Sequence, residues 1–171
     1  MGARHAALLL AVGLMVPSTV ARAECRDSAG GTFSLDVRLS PMSGIGCFTA
    51  VTVFEGSSCR PERERWAITL GCNESRRMVV SDRGRLVSLL APRASRRNWE
   101  IVRVFEATGR QAVVRSIRLD ELPGLPERAR RPRMSLDASV LRIETDPPVT
   151  VPVTVLESLG RERARRPLHR P

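Results

Sequence analysis

Lysine and tyrosine are absent from this chain, and all 28 basic residues are arginine. Histidine occurs twice, as His5 and His169, and neither lies in the body of the chain. Each absence removes a class of chemistry. Without lysine there is no serine–lysine nucleophile. Without an oriented imidazole there is no Ser-His or Cys-His pair, no histidine general base and no histidine metal ligand. The motif set is empty as well. There is no G-x-S-x-G elbow, no phosphate-binding G-x-x-x-x-G-K-[ST] and no G-x-G-x-x-G opening a helix. Aromatic residues make up only 4% of the chain, which leaves little surface on which nucleic acid bases could stack. Arginine codons are mostly GC-rich and those of lysine and tyrosine AT-rich, so the exclusive use of arginine reads as codon composition and implies no function.

The first 23 residues have their own pattern. Arg4 and His5 precede an apolar stretch from Ala6 to Val16, Pro17-Ser18-Thr19 interrupts it, and Ala21-Arg22-Ala23 has the A-x-A form of a cleavage site. The stretch is shorter than the ~20 residues that span a bilayer. Residues 1–23 are therefore expected to be a secretory signal peptide, with a mature chain starting at Glu24 in the periplasm or outside the cell and holding no transmembrane helix. Residues 24–160 are expected to form a single β domain, and 161–171 a basic disordered tail.

All four cysteines lie after that cleavage site. In an oxidising compartment they suggest two disulfides. A zinc site would want a C-x-x-C pair or a nearby histidine, and neither is present. Glu24 stands where a lipid-modified Cys25 would need a small residue before it. No metal and no cofactor is expected. Register argues for one pairing. If Cys47–Phe54 and Arg65–Cys72 form an antiparallel hairpin with facing positions summing to 119, Cys47 meets Cys72, Val51 meets Ile68 and Val53 meets Trp66, all on one face. Cys25 and Cys59 would then pair. The other two connectivities stay open.

Beyond Cys47 the chain alternates short β-branched and aromatic runs with turns: Phe48–Phe54, Arg65–Leu70, Arg77–Val80, Arg85–Leu90, Trp99–Phe105, Arg110–Leu119, Ser139–Glu144 and Val149–Leu156. Thr32–Leu39 is a weaker strand candidate, and Pro152 marks its strand as an edge or bulged one. No segment has the length and period of a long amphipathic helix. The fold class is all-β, with antiparallel hairpins in a small sheet stack or sandwich. Trp66 and Trp99 share strand parity with apolar neighbours, which favours core filling over a binding platform.

Residues Arg77–Leu119 contain two hairpins, with turns at Ser81-Asp82-Arg83-Gly84-Arg85 and at Thr108-Gly109-Arg110. This pattern resembles one blade of the TolB/YVTN-type β-propeller repeats. It is also similar to secreted bacterial proteins of unassigned function with blade-like β domains, in which a Trp-containing strand, here that of Trp66, precedes the Ser-Asp-x-Gly turn. The resemblance implies architecture and no activity. Closed propellers need at least 4 blades of roughly 40 residues. This chain is too short for that, so an incomplete, blade-like stack is expected.

The formal charge is +10, of which Arg4 and Arg22 account for +2 in residues 1–23. Residues 127–133 hold Arg128, Arg130, Arg131 and Arg133 against Glu127, and residues 161–171 hold five arginines against Glu162, for +3 and +4. With Arg93, Arg96 and Arg97 in the loop before Trp99, these are the candidate anion contacts. The expected function is a non-catalytic exported β domain that binds an unidentified protein or serves the cell envelope structurally. An alternative is an electrostatic binder of anionic envelope polymers through 127–133 and 161–171. Nucleic acid is disfavoured. A carboxylate-dependent hydrolase is the remaining alternative, with acids such as Glu100, Glu106, Asp120 and Glu121 as candidates and no spacing that singles out a pair.

Overall fold

The computed structural model describes residues 24–42, 46–71, 77–90, 100–125 and 132–169. The expected leader (residues 1–23) lies outside them. Twelve strands, β1 to β12 in chain order, form three open antiparallel sheets with no closed propeller or barrel among the described residues.

The first sheet runs β1 (Glu24–Asp27), β2 (Phe33–Met42), β3 (Gly46–Glu55), β4 (Glu64–Gly71) in spatial order. The β3–β4 hairpin has the expected register, with Val51 opposite Ile68 and Val53 opposite Trp66. A shift after Val53 then places Phe54 opposite Glu64. Trp66 is 5% exposed and belongs to the core. Strand β1 had no signal of its own. Its four residues are all exposed, and β2 recruits them through backbone pairing. Cys25 is bonded to Cys59, with Cα atoms 5.9 Å apart, which ties β1 to the segment between β3 and β4. Cys72, the expected partner of Cys47, lies outside the described residues.

The second sheet has the spatial order β12-β8-β7-β6-β5. Its strands are β5 (Arg77–Val80), β6 (Leu86–Leu89), β7 (Glu100–Thr108), β8 (Gln111–Arg118) and β12 (Arg161–Pro167). Gly84 (φ +70°) and Gly109 (φ +58°) close its two hairpins, in a conformation that glycine adopts without Cβ strain. The third sheet runs β11 (Val149–Pro152), β10 (Val140–Glu144), β9 (Arg133–Leu136).

The five-stranded sheet is the middle layer. Met78, Val80, Leu86, Phe105 and Val114 pack against Leu35, Val51, Val53, Trp66 and Ile68 of the first sheet. From its opposite face Val87, Val102, Val104 and Ile117 pack against Leu141, Ile143, Val151 and Leu156. The middle position of the sheet accounts for the burial of every residue of β6 and of most of β8, while burial in β4 alternates.

Two expectations are corrected. Val149–Leu156 is not one strand. It pairs as far as Pro152 and then turns into the helix α1 (Val153–Ser158). Pro152 has no N–H to carry the ladder onward, and its fixed φ of −57° suits a helix start. Val153 and Leu156, one helical turn apart, fill the core. Residues Arg161–Pro167 are not a disordered tail. They form β12 on the edge of the middle sheet, with Arg161 opposite Ser116, Arg165 opposite Val113 and Arg166 opposite Ala112. Beyond β12, the Leu168 N–H donates to the Arg110 carbonyl and His169 exchanges backbone bonds with Ala67 of β4. The C-terminal segment thereby links the edges of two sheets.

Candidate functional site

Each sheet ends in an edge strand, and three of these edges meet. Strand β1 is outermost in the first sheet, β5 in the second and β9 in the third. Between them lies a groove of about 410 Å³. Arg26 and Asp27 of β1 form one wall, Arg77, Met78 and Val79 the floor, and Leu136, Asp137 and Ala138 the other wall. The volume falls in the lower part of the ~300–1,000 Å³ range of ligand pockets.

The groove is polar at its rim and apolar at its base. Arg26 is held by Glu24 at 2.6 Å, and the Asp27 carboxylate accepts the Ser58 N–H at 3.2 Å. Asp137 caps the turn into β10. One of its oxygens accepts the N–H groups of Ser139 and Val140 and the Ser139 hydroxyl, at 2.9 to 3.0 Å. The Ser139 N–H, with those other donors and Arg142 nearby, holds this carboxyl below its ordinary range. Met78 and Leu136 are buried beneath. Strand β5 pairs with β6 on one side only, so among the described residues its other edge has no strand partner. No spacing in the sequence marks this groove, because edge position belongs to the sheet and not to the strand.

A second cluster surrounds α1. Glu157 is fully buried, and neither carboxylate oxygen has a hydrogen-bond partner. Among the described residues the cations nearest to it are Arg83 at 3.6 Å and Arg85 at 4.0 Å, both from the Ser81–Arg85 turn. Arg85 is already engaged, donating to Glu106 at 2.6 Å, and Arg115 lies 3.6 Å from the same Glu106. Sequence reasoning passed over Glu157. Its only signal was a lone acid in an apolar run.

The four acids considered for hydrolysis are all engaged by arginine. Arg103 donates to Glu100 at 2.9 Å. Burial opposes ionisation of Glu100, but the Arg103 hydrogen bond and charge, the Ser116 hydroxyl and the Arg163 charge outweigh it and hold the carboxyl below its ordinary value. Glu106 lies with Arg85 and Arg115, and Arg118 takes both Asp120 at 3.1 Å and Glu121 at 3.9 Å.

Of the candidate anion contacts, Arg93, Arg96, Arg97, Arg128, Arg130 and Arg131 lie outside the described residues. Arg133 opens β9 and is exposed. In the C-terminal segment Arg161, Arg163 and Arg165 are exposed on β12, and His169 Nε2 lies 3.3 Å from the Thr69 hydroxyl. Among the described residues no three His, Cys, Asp or Glu side chains converge as a metal site, and no helix is long and apolar enough to cross a membrane. No protein-family model, curated protein or solved structure matches this chain.

Proposed function

We propose that this chain is an exported, non-catalytic β domain, working in the periplasm or outside the cell, that binds a partner protein through its sheet edges. The observation that carries this reading is the meeting of β1, β5 and β9 around one groove, with no strand partner on the outer edge of β5 among the described residues. A strand edge presents a row of N–H and C=O groups that an extended peptide can satisfy by adding itself to the sheet. A segment added to β5 would lie about 4.8 Å from it. Its side chains would alternate between the wall of Arg26 and Asp27 and the wall of Leu136 and Asp137. With four residues in β5, the register would cover roughly 13 Å of partner chain. The Cys25–Cys59 disulfide supports an oxidising compartment, because such bonds persist there. The engagement of Glu100, Glu106, Asp120 and Glu121 by arginine supports a non-catalytic role.

A displayed library of random extended peptides tests it. Selected peptides should protect the amides of Arg77–Val80 from hydrogen exchange and lose affinity at least roughly tenfold in Val79→Asp, which sets a charge on the groove floor. Selected peptides that protect another strand, or bind Val79→Asp unchanged, would refute the groove as the binding site.

A further inference from the structure

The opposite edge of the middle sheet differs in chemistry from the groove. Strand β12 reads Arg-Glu-Arg-Ala-Arg-Arg-Pro, and beyond its pairing with β8 its other side has no strand partner among the described residues. Over a length of roughly 23 Å it carries four arginines and one acid. Glu162 is engaged by Arg165 at 3.0 Å, an exposed pair worth little in water. Arg110 stands at the end of this row, since its carbonyl accepts the Leu168 N–H.

The arginines do not all project alike. Arg161 and Arg166 share one face with Ala164, and Arg165 lies on the other with Glu162. Arg163 falls where the register shifts, between Glu162 and Ala164, and has no facing residue on β8. Such a bulge turns a side chain out of the alternation. The positive groups therefore fan around a linear edge and do not lie in one plane.

We infer that β12 is a binding edge for a linear acidic polysaccharide, gripped by Arg161, Arg163 and Arg165 with Arg110 at its end. The charge is complementary, and a guanidinium fork pairs bidentately with the carboxylate groups that repeat along such a chain. The shape favours a thread over a plane: a row one strand wide meets a polymer along its length but offers a membrane only a line of contact. A single-stranded nucleic acid would want stacking rings, and this strand has none. The site is distinct from the peptide groove, because β12 and β5 are opposite edges of the sheet.

The test uses the full mature chain and three probes at equal charge concentration: polygalacturonate, a single-stranded DNA oligonucleotide and anionic phospholipid vesicles. Polygalacturonate is expected to bind with an affinity that falls roughly tenfold or more between about 50 and about 200 mM salt. The variant Arg161→Gln/Arg163→Gln/Arg165→Gln should lose at least tenfold in affinity at the lower salt, with thermal unfolding checked alongside. The variant Arg38→Gln/Arg65→Gln, with two exposed arginines on the first sheet, should bind as the parent does. Stronger binding of DNA or vesicles than of polygalacturonate would overturn the proposal. So would equal losses in the two variants, or no binding of polygalacturonate at low salt. That last result would leave the arginines as charged guards that keep a free edge from pairing with another chain.

Discussion

Replacing Arg85 with methionine is expected to cost far more stability than replacing Glu157, although the two face each other. Glu157 has no exposed side-chain surface and no hydrogen bond, and among the described residues its charge is compensated only by Arg83 at 3.6 Å and Arg85 at 4.0 Å. At an effective dielectric of ~20 each such pair is attractive by roughly 4 kcal/mol before screening. Arg83 is 65% exposed and its share is strongly screened, whereas Arg85 is 21% exposed and carries most of what remains. Removing Arg85 strands a buried carboxylate and also deprives Glu106 of its 2.6 Å partner. The expected loss is about 3–5 kcal/mol. Glu157→Met has a different balance. It forfeits the attraction but also removes several kcal/mol of desolvation, and Arg85 keeps Glu106. That variant should stay within about 1 kcal/mol of the parent or exceed it. The double variant should recover much of the Arg85→Met loss, a coupling that a double-mutant cycle isolates. Urea unfolding at neutral pH, followed by circular dichroism, reads all four proteins, and about 3 kcal/mol corresponds to roughly 6–12 °C in Tm for a chain of this size. A loss of 3 kcal/mol in Glu157→Met, or less than about 1 kcal/mol in Arg85→Met, would refute the argument.

Other perturbations test other parts of the fold. The Cys25–Cys59 bond closes a separation of 34 residues, for which chain-entropy reasoning gives about 3.8 kcal/mol. The double variant Cys25→Ser/Cys59→Ser should lose most of that in urea unfolding, and a loss below about 1 kcal/mol would mean that β1 is held by its pairing with β2 alone. Gly160 has φ +88°, and a Cβ there would sit 2.9 Å from the Ser116 carbonyl oxygen. Gly160→Ala should cost at least about 1–2 kcal/mol and loosen β12, seen as faster amide exchange over Arg161–Pro167; unchanged exchange would count against it. Glu100 is held below its ordinary value of 4.5, so its stabilising effect is full above that pH and is lost as pH falls through its lowered value. Glu100→Gln should therefore be less stable than the parent at neutral pH, with the gap narrowing in acid; a gap that persists at low pH would mean that its ionisation is not the source.

Much of the fold is legible without coordinates, because the signals involved are local. Alternation and turn chemistry mark β2 to β8, β10 and β11 but not β1, β9 or β12, and the facing positions of β3 and β4 follow from matching apolar faces. One-residue slippage would turn Val51 and Trp66 away from the core, so the register has little freedom. The candidate sites are less legible. The acids and arginines stand in the sequence, but nothing local shows that Glu157 is buried beneath Arg83 and Arg85 or that Asp137 lines a groove with Arg26.

Sequence alone determined the all-β class and the β3–β4 register, and it favoured Cys25 with Cys59 once Cys47 was set opposite Cys72. The class and the register depend on residue type and on neighbours within a hairpin, and the Cys25–Cys59 choice followed from that register by elimination. Tertiary structure decided what depends on distant partners. Residues Arg161–Pro167 look like a solvated tail because their side chains are charged, yet they form a strand, since an edge strand needs only the backbone bonds that β8 supplies. The run after Pro152 looks like a strand because it is β-branched, yet it coils into α1, since the core offers Val153 and Leu156 a place and β10 offers no further pairing. Which edges meet, at the groove of β1, β5 and β9, is fixed by how three sheets stack, and stacking is a property of whole faces that no single segment encodes.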